Sequence, residues 1–180
     1  QGGNGTTTAI TDWNGNTGFQ FKATDNEAQE SALPATADII VAPVNDAPSF
    51  SPLGNSTLGD TIAFIEGGGP AVLDTDVAIR DLELVAQGSY AGASLTLARS
   101  NGAHPQDVFA SGSALLGELT EGGALVQDGT TIGTVTQNGV GTLVLGFNTS
   151  ATETLVNDAL RGIAYRNSSD APPASVELTW

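Results

Sequence analysis

The chain contains no cysteine, which excludes disulfides and thiolate metal sites. Lysine and arginine together number 5 against 20 aspartates and glutamates, a formal charge of −15. A surface so short of cations repels nucleic acid and anionic membrane, whose partners need clustered positive charge. It suits multivalent cations, and it also keeps an exported protein soluble. No run of ~18 apolar residues occurs, so no membrane-inserting helix is expected. The single histidine, His104, stands beside Pro105 and reads as a loop residue, with no G-x-S-x-G elbow to make it a catalyst. Acidic pairs abound, as a glycosidase would need, but nothing marks any pair as lying in a cleft, and no enzyme is expected. The nonapeptide G-G-x-G-x-D-x-U-x is missing too, which excludes a calcium β-roll.

What is present is turn-rich and still apolar. Glycine occurs 23 times, yet hydrophobic residues make up 39% of the 180. That is too apolar for disorder and too rich in turns for a helical bundle. A chain of this length builds a sufficient core without disulfides. Strand signals recur between turns: residues 18–23 alternate apolar and polar, 36–42 centre on Ile39, Ile40 and Val41, and 61–65, 93–99 and 176–180 follow. Residues 131–147 read as a hairpin turning at Asn138-Gly139, a pair that supplies the positive φ angles of tight turns. One short helix is expected after Ser150-Ala151-Thr152-Glu153, a capping-box pattern. Leu155, Val156, Ala159 and Leu160 give it one apolar face, and Gly162 closes it. Many short strands with frequent glycine turns predict an all-β sandwich capped by that helix.

Between the second strand signal and the rest lies Pro43-Val44-Asn45-Asp46-Ala47-Pro48, a polar hinge stiffened by its prolines. The stretch from Ala23-Thr24-Asp25 through this hinge resembles the end of a cadherin-type repeat, which closes with an A-x-D segment, a last strand and a D-x-N-D-x-x-P linker. The V-N-D-A-P form resembles the linkers of giant repeat adhesins exported by bacterial type I secretion. The stretches Phe64 to Gly68, Val72 to Leu84, Tyr90 to Arg99, Leu160 to Asn167 and Asp170 to Val176 are similar to the opening and body of the next such repeat. Most of the chain is covered. The resemblance implies a cadherin-like (Ig-like) β-sandwich. Residues 1–44 would be the terminal strands of one repeat, 45–48 a calcium-binding linker, and 49–180 the following repeat lacking its last strands.

The same resemblance implies the ligands. Calcium takes roughly 6–8 oxygen ligands, and Asn45 and Asp46 offer oxygens at the hinge. Asp81 and Glu83, spaced D-x-E, match the pair that the following domain contributes; in an extended segment both side chains point the same way. Asp25 matches the A-x-D aspartate and Glu66 the early glutamate of a domain, each serving the linker on the other side of its own domain. A clear D-R-E motif is missing, so one or two calcium ions per linker are expected rather than three.

Other features have plainer readings. Asp74 and Asp76 are expected as charges on a solvated strand edge. Asp12-x-Asn14-x-Asn16 begins like a calcium loop, but its glycine is misplaced and no glutamate follows at the required position, so it reads as an Asn14-Gly15 hairpin turn. Trp13, Tyr90 and Trp180 are expected in the core or an interface, with sugar stacking as the alternative. Sequons at Asn55, Asn148 and Asn167 carry little weight in a bacterial product.

The function implied is a calcium-stiffened structural repeat of an extracellular, cell-surface adhesin acting in adhesion or biofilm, with a calcium-dependent carbohydrate-binding module as the alternative. Neighbouring repeats or identical subunits, joined head to tail, would be its partners, and cell-surface or matrix polysaccharide a further one. The frame has two readings. Residues 1–44 of one chain complete the sandwich of another by strand complementation, or the chain is a segment of a longer polypeptide.

Overall fold

A computed structural model describes residues 13–52 and 59–180. Gln1 to Asn4, Asp12 and the Asn55 sequon lie outside these. The described residues are mostly antiparallel β-structure with two short helices, where the sequence predicts one. They divide into two compact units, with the boundary between Asn45 and Asp46, inside the expected linker.

The first unit is a hairpin of β1 (Gly15–Phe21) and β2 (Ala35–Val41), with Phe19 opposite Ala37 and Thr17 opposite Ile39. Gly15 pairs with Val41 inside the ladder, so the turn expected at Asn14-Gly15 does not form. The long connection is ordered by a Lys22–Glu30 ion pair and by Asp25.

The second unit opens with β3 (Ser49–Pro52), which pairs with β5 (Val77–Arg80). Next along the chain are β4 (Ala71–Val72), α1 (Leu82–Gln87), β6 (Ser94–Arg99), β7 (Asp107–Ser111), β8 (Ala124–Gln127) and β9 (Thr130–Gly139). After these come β10 (Thr142–Phe147), α2 (Glu153–Arg161), β11 (Ile163–Asn167) and β12 (Leu178–Thr179). A five-stranded sheet has the order β12-β6-β10-β9-β8, and a three-stranded sheet the order β4-β11-β7. Alternation sets the faces: in β10, Leu143, Leu145 and Phe147 are buried and the residues between them are not. One core gathers Leu95, Leu97, Leu143 and Leu145 from the larger sheet, Phe109, Ile163 and Tyr165 from the smaller, and Val156 and Leu160 from α2.

Three local expectations shift. The β9–β10 hairpin forms, but its turn is Val140-Gly141, with φ of 47° and 79°, and Thr142 pairs with Gly139. Asn138 cannot serve the turn because its amide donates to the carbonyls of Phe109 at 3.0 Å and Leu119 at 2.6 Å. Gly141 packs directly on the His104 backbone, where any Cβ would collide. The N-cap of α2 is Thr152, not Ser150: its hydroxyl accepts the Leu155 N–H at 3.4 Å. Gly162 does close the helix, yet with φ of −90°; a Cβ there would stand 3.1 Å from those of Leu116 and Ser113, a tight fit that glycine avoids. Residues 61–65 form no strand among the described residues, and at the far end only Leu178–Thr179 joins a ladder. Ile62 and Phe64 instead lean on the core as irregular chain.

Candidate functional site

Asp46, the first residue of the second unit, reaches α1 of the same unit. The backbone N–H of Asp46 donates to Glu83 Oε2 at 3.4 Å. Glu83 stands in the first turn of α1, and Asp81 is its N-cap, with Oδ1 accepting the Leu84 N–H at 2.9 Å. The D-x-E segment is therefore not extended as expected. A carboxylate that satisfies a free helix N–H starts a turn, and Leu82 to Gln87 are residues that prolong it. Asp81 is buried, and its own N–H donates to the Tyr90 hydroxyl at 3.3 Å. That hydroxyl in turn donates to the Ile79 carbonyl at 3.2 Å. Burial pushes the Tyr90 hydroxyl above its usual pKa, against the smaller opposing effect of the Asp81 N–H.

Asn45 and Asp25 belong to the first unit. Asn45 closes it. Asp25 Oδ1 accepts the N–H groups of Glu27 at 2.9 Å and Gln29 at 2.8 Å, so it builds its own loop as aspartates do in turns. Glu66 is exposed on a turn of the second unit, in which the Gly68 N–H donates to the Ile65 carbonyl.

A second acidic group was not assembled by sequence reasoning. The carboxylates of Asp60, Asp74 and Asp76 lie within 4.8 Å of one another. Asp74 is not on a solvated edge: it is 4% exposed, and its Oδ1 accepts the N–H groups of Asp76 at 2.9 Å and Val77 at 2.7 Å. Oxygens around one calcium, each at about 2.3–2.6 Å, lie no more than about 5 Å apart, so this spacing fits that ion. Asp74-x-Asp76 was visible as a pair, but Asp60 lies within the β3–β4 connection, and no pattern links it to them.

Asp60, Asp74 and Glu66 line an open cleft of about 850 Å³, together with Phe64, Tyr165, Val176 and Trp180. Tyr165 and Asn167 also reach Asp107, buried on β7: the Tyr165 hydroxyl donates to Asp107 Oδ1 at 2.7 Å and the Asn167 amide at 2.9 Å. Burial alone would raise the Asp107 pKa. The Arg99 bonds first, then those of Tyr165 and Asn167, outweigh it and hold the carboxyl below its usual value. Burial raises the Tyr165 hydroxyl. Of the three aromatics singled out, Tyr90 is in the core, Trp180 is partly buried beside Phe50, and Trp13 is exposed. No helix among the described residues is long and apolar enough to cross a membrane. No family model, no curated protein and no solved structure matches the chain.

Proposed function

We propose that this chain is a calcium-stiffened structural repeat of an extracellular bacterial adhesin or surface fibre, non-enzymatic, with a cadherin-like sandwich as its second unit. The observation that carries this reading is the hydrogen bond from linker Asp46 to Glu83. It joins the V-N-D-A-P hinge to the acidic first turn of α1, where a cation shared by linker and domain would fix their angle. Asp46 and Glu83, with Asp81 in the same turn as Glu83, are the proposed ligands. Asp60, Asp74 and Asp76, near Glu66, form a second oxygen-rich set of suitable spacing. Calcium would neutralise these carboxylates, whose repulsion otherwise leaves the hinge flexible.

The test is calorimetric titration with calcium, with shape followed by small-angle scattering. The wild type is compared with Asp46→Ala plus Glu83→Ala and, separately, with Asp60→Ala. Asp81 is left intact because its loss would uncap α1. Saturable binding that the double substitution weakens, with an elongated and stiffer particle in calcium, supports the reading. Unchanged scattering and no heat at millimolar calcium would reject it.

A second reading, a calcium-dependent carbohydrate-binding module, draws on the cleft, where Trp180 and Phe64 stand beside Asp60 and Glu66. Aromatic faces and acidic oxygens are the groups that grip sugars. It predicts polysaccharide binding that a chelator and Trp180→Ala both abolish.

A further inference from the structure

The dipeptide Asn-Gly recurs in this chain, and Asn101-Gly102 and Asn138-Gly139 lie in the second unit with opposite surroundings. Asn138 is held. Its side-chain amide donates to the carbonyls of Phe109 and Leu119, and its backbone N–H donates to Glu121 Oε2 at 2.9 Å. Both it and Gly139 are paired in the β9–β10 ladder. Asn101 is not held. It stands exposed in the turn that follows β6, where the Gly102 N–H donates to the Arg99 carbonyl at 3.1 Å. Its side chain makes no hydrogen bond among the described residues. Gly102 has a φ of 103° and open space where a Cβ would stand, so on that side nothing screens its backbone nitrogen.

We propose that Asn101 is a site of spontaneous deamidation, and that the fold directs this reaction to it and away from Asn138. The Gly102 amide nitrogen, having lost its proton to hydroxide, attacks Cγ of Asn101. The new N–Cγ bond closes a cyclic imide, and the side-chain nitrogen takes up a proton and leaves as ammonia. Water then opens the ring. Attack at Cγ leaves aspartate at 101, and attack at the backbone carbonyl leaves isoaspartate, in which the main chain runs through the side chain. Nothing is oxidised or reduced, and either product replaces a neutral amide by a carboxylate. Ring closure needs the asparagine side chain to turn onto the following nitrogen. At 101 only the one turn hydrogen bond opposes it. At 138 two side-chain bonds must also break, each worth roughly fivefold, so Asn138 should react at least about 25-fold more slowly. The same loop carries His104, whose main chain is the seat of Gly141. Isoaspartate lengthens the main chain just before that seat and loosens it, whereas aspartate adds only charge at an exposed position. The reaction runs one way, so the turn records the age of the folded chain.

The test is prolonged incubation of the chain at mildly alkaline pH, folded in one series and unfolded in urea in another, with chelator in both so that calcium binding does not bear on it. Tandem mass spectrometry of peptides follows each asparagine, and an isoaspartyl methyltransferase labels the isoaspartate formed. In the folded protein Asn101 is expected to convert at least about 25-fold faster than Asn138, and faster still as pH rises. In urea the two should convert at similar rates, because the dipeptide is the same and the hydrogen bonds are gone. Asn101→Gln, whose longer side chain would have to close a larger ring, should remove the label from this turn and leave the far-ultraviolet circular dichroism unchanged. Asn101→Asp should melt with the wild type, and the labelled fraction of aged protein below it. An Asn101 that stays an amide in the folded protein overturns the proposal. So does an Asn138 that reacts as fast as Asn101 in the folded protein, which would mean that the dipeptide alone sets the rate. A labelled fraction that melts with the wild type overturns the loosening at Gly141.

Discussion

Arg99 and Asp107 form a two-pronged ion pair, with Nε 2.6 Å from Oδ2 and Nη2 2.7 Å from Oδ1. Arg99 is on β6 of the five-stranded sheet and Asp107 on β7 of the three-stranded one, so the pair ties the two sheets together. The Asp107 side chain is fully shielded from water, while the Arg99 side chain keeps 18% exposure. Breaking a buried pair by removing one partner costs about 3–5 kcal/mol. Because Arg99 still reaches water, Asp107→Ala should destabilise by about 3 kcal/mol, near the lower end of that range. Urea denaturation measures this. Asp158→Ala, which removes the more exposed partner of Arg161, should cost within about 0.5 kcal/mol.

Acid should unfold the second unit through the same carboxylate. The Asp107 pKa is lower folded than unfolded. Its contribution is therefore present in full above the unfolded value near 3.9 and is lost as pH falls through the folded value. Tyr90 and Tyr165 act at the other end, because their folded pKa values are raised. Their contribution is complete below the unfolded value near 10 and is lost as pH rises through the folded ones. Thermal melts across pH should show both flanks, with Asp107→Asn flattening the acid one and, because Asp107 also holds the Tyr165 hydroxyl up, reducing the alkaline one.

Thr152→Ala should lower stability by about 1 kcal/mol, the usual worth of an N-cap hydroxyl. Ser150→Ala should have a smaller effect, since the Leu155 N–H is capped by Thr152. Chemical denaturation of the two variants side by side decides which residue starts α2.

Gly141→Ala should be far more damaging than Gly139→Ala. At 141 the backbone has a φ of 79° and a Cβ would strike the His104 main chain. Positive φ alone costs a non-glycine residue about 1–3 kcal/mol, and the collision adds to it. At 139 the nearest obstacle is the movable Glu121 carboxylate at 3.3 Å. A thermal melt of Gly141→Ala well below that of Gly139→Ala is the expected outcome.

Much of the fold was legible because its signals are local. Alternation marked β1, an apolar centre marked β2, flanking turns marked β6, a nearby glycine turn marked the β9–β10 hairpin, and the spacing of Val156, Ala159 and Leu160 placed α2, because such signals are properties of a short segment. The strands β7 and β11 escaped that reading. Phe109 and Tyr165 are core residues in segments of mixed polarity, and their pairing across β7 and β11 is long-range. α1 escaped because Asp81-Leu82-Glu83-Leu84 alternates like a strand, while the structure uses Asp81 as a cap.

The sequence by itself determined the sign of the surface, the class of secondary structure and the place where the two units divide, since charge, periodicity and proline act where they stand in the chain. Only the tertiary structure decided which carboxylates meet. It set Glu83 beside Asp46, withdrew Asp25 into its own loop, and drew Asp60, from a connection with no pattern of its own, to Asp74 and Asp76. Such meetings depend on how distant segments pack, and on which backbone N–H each oxygen must first satisfy, neither of which is written at any single position.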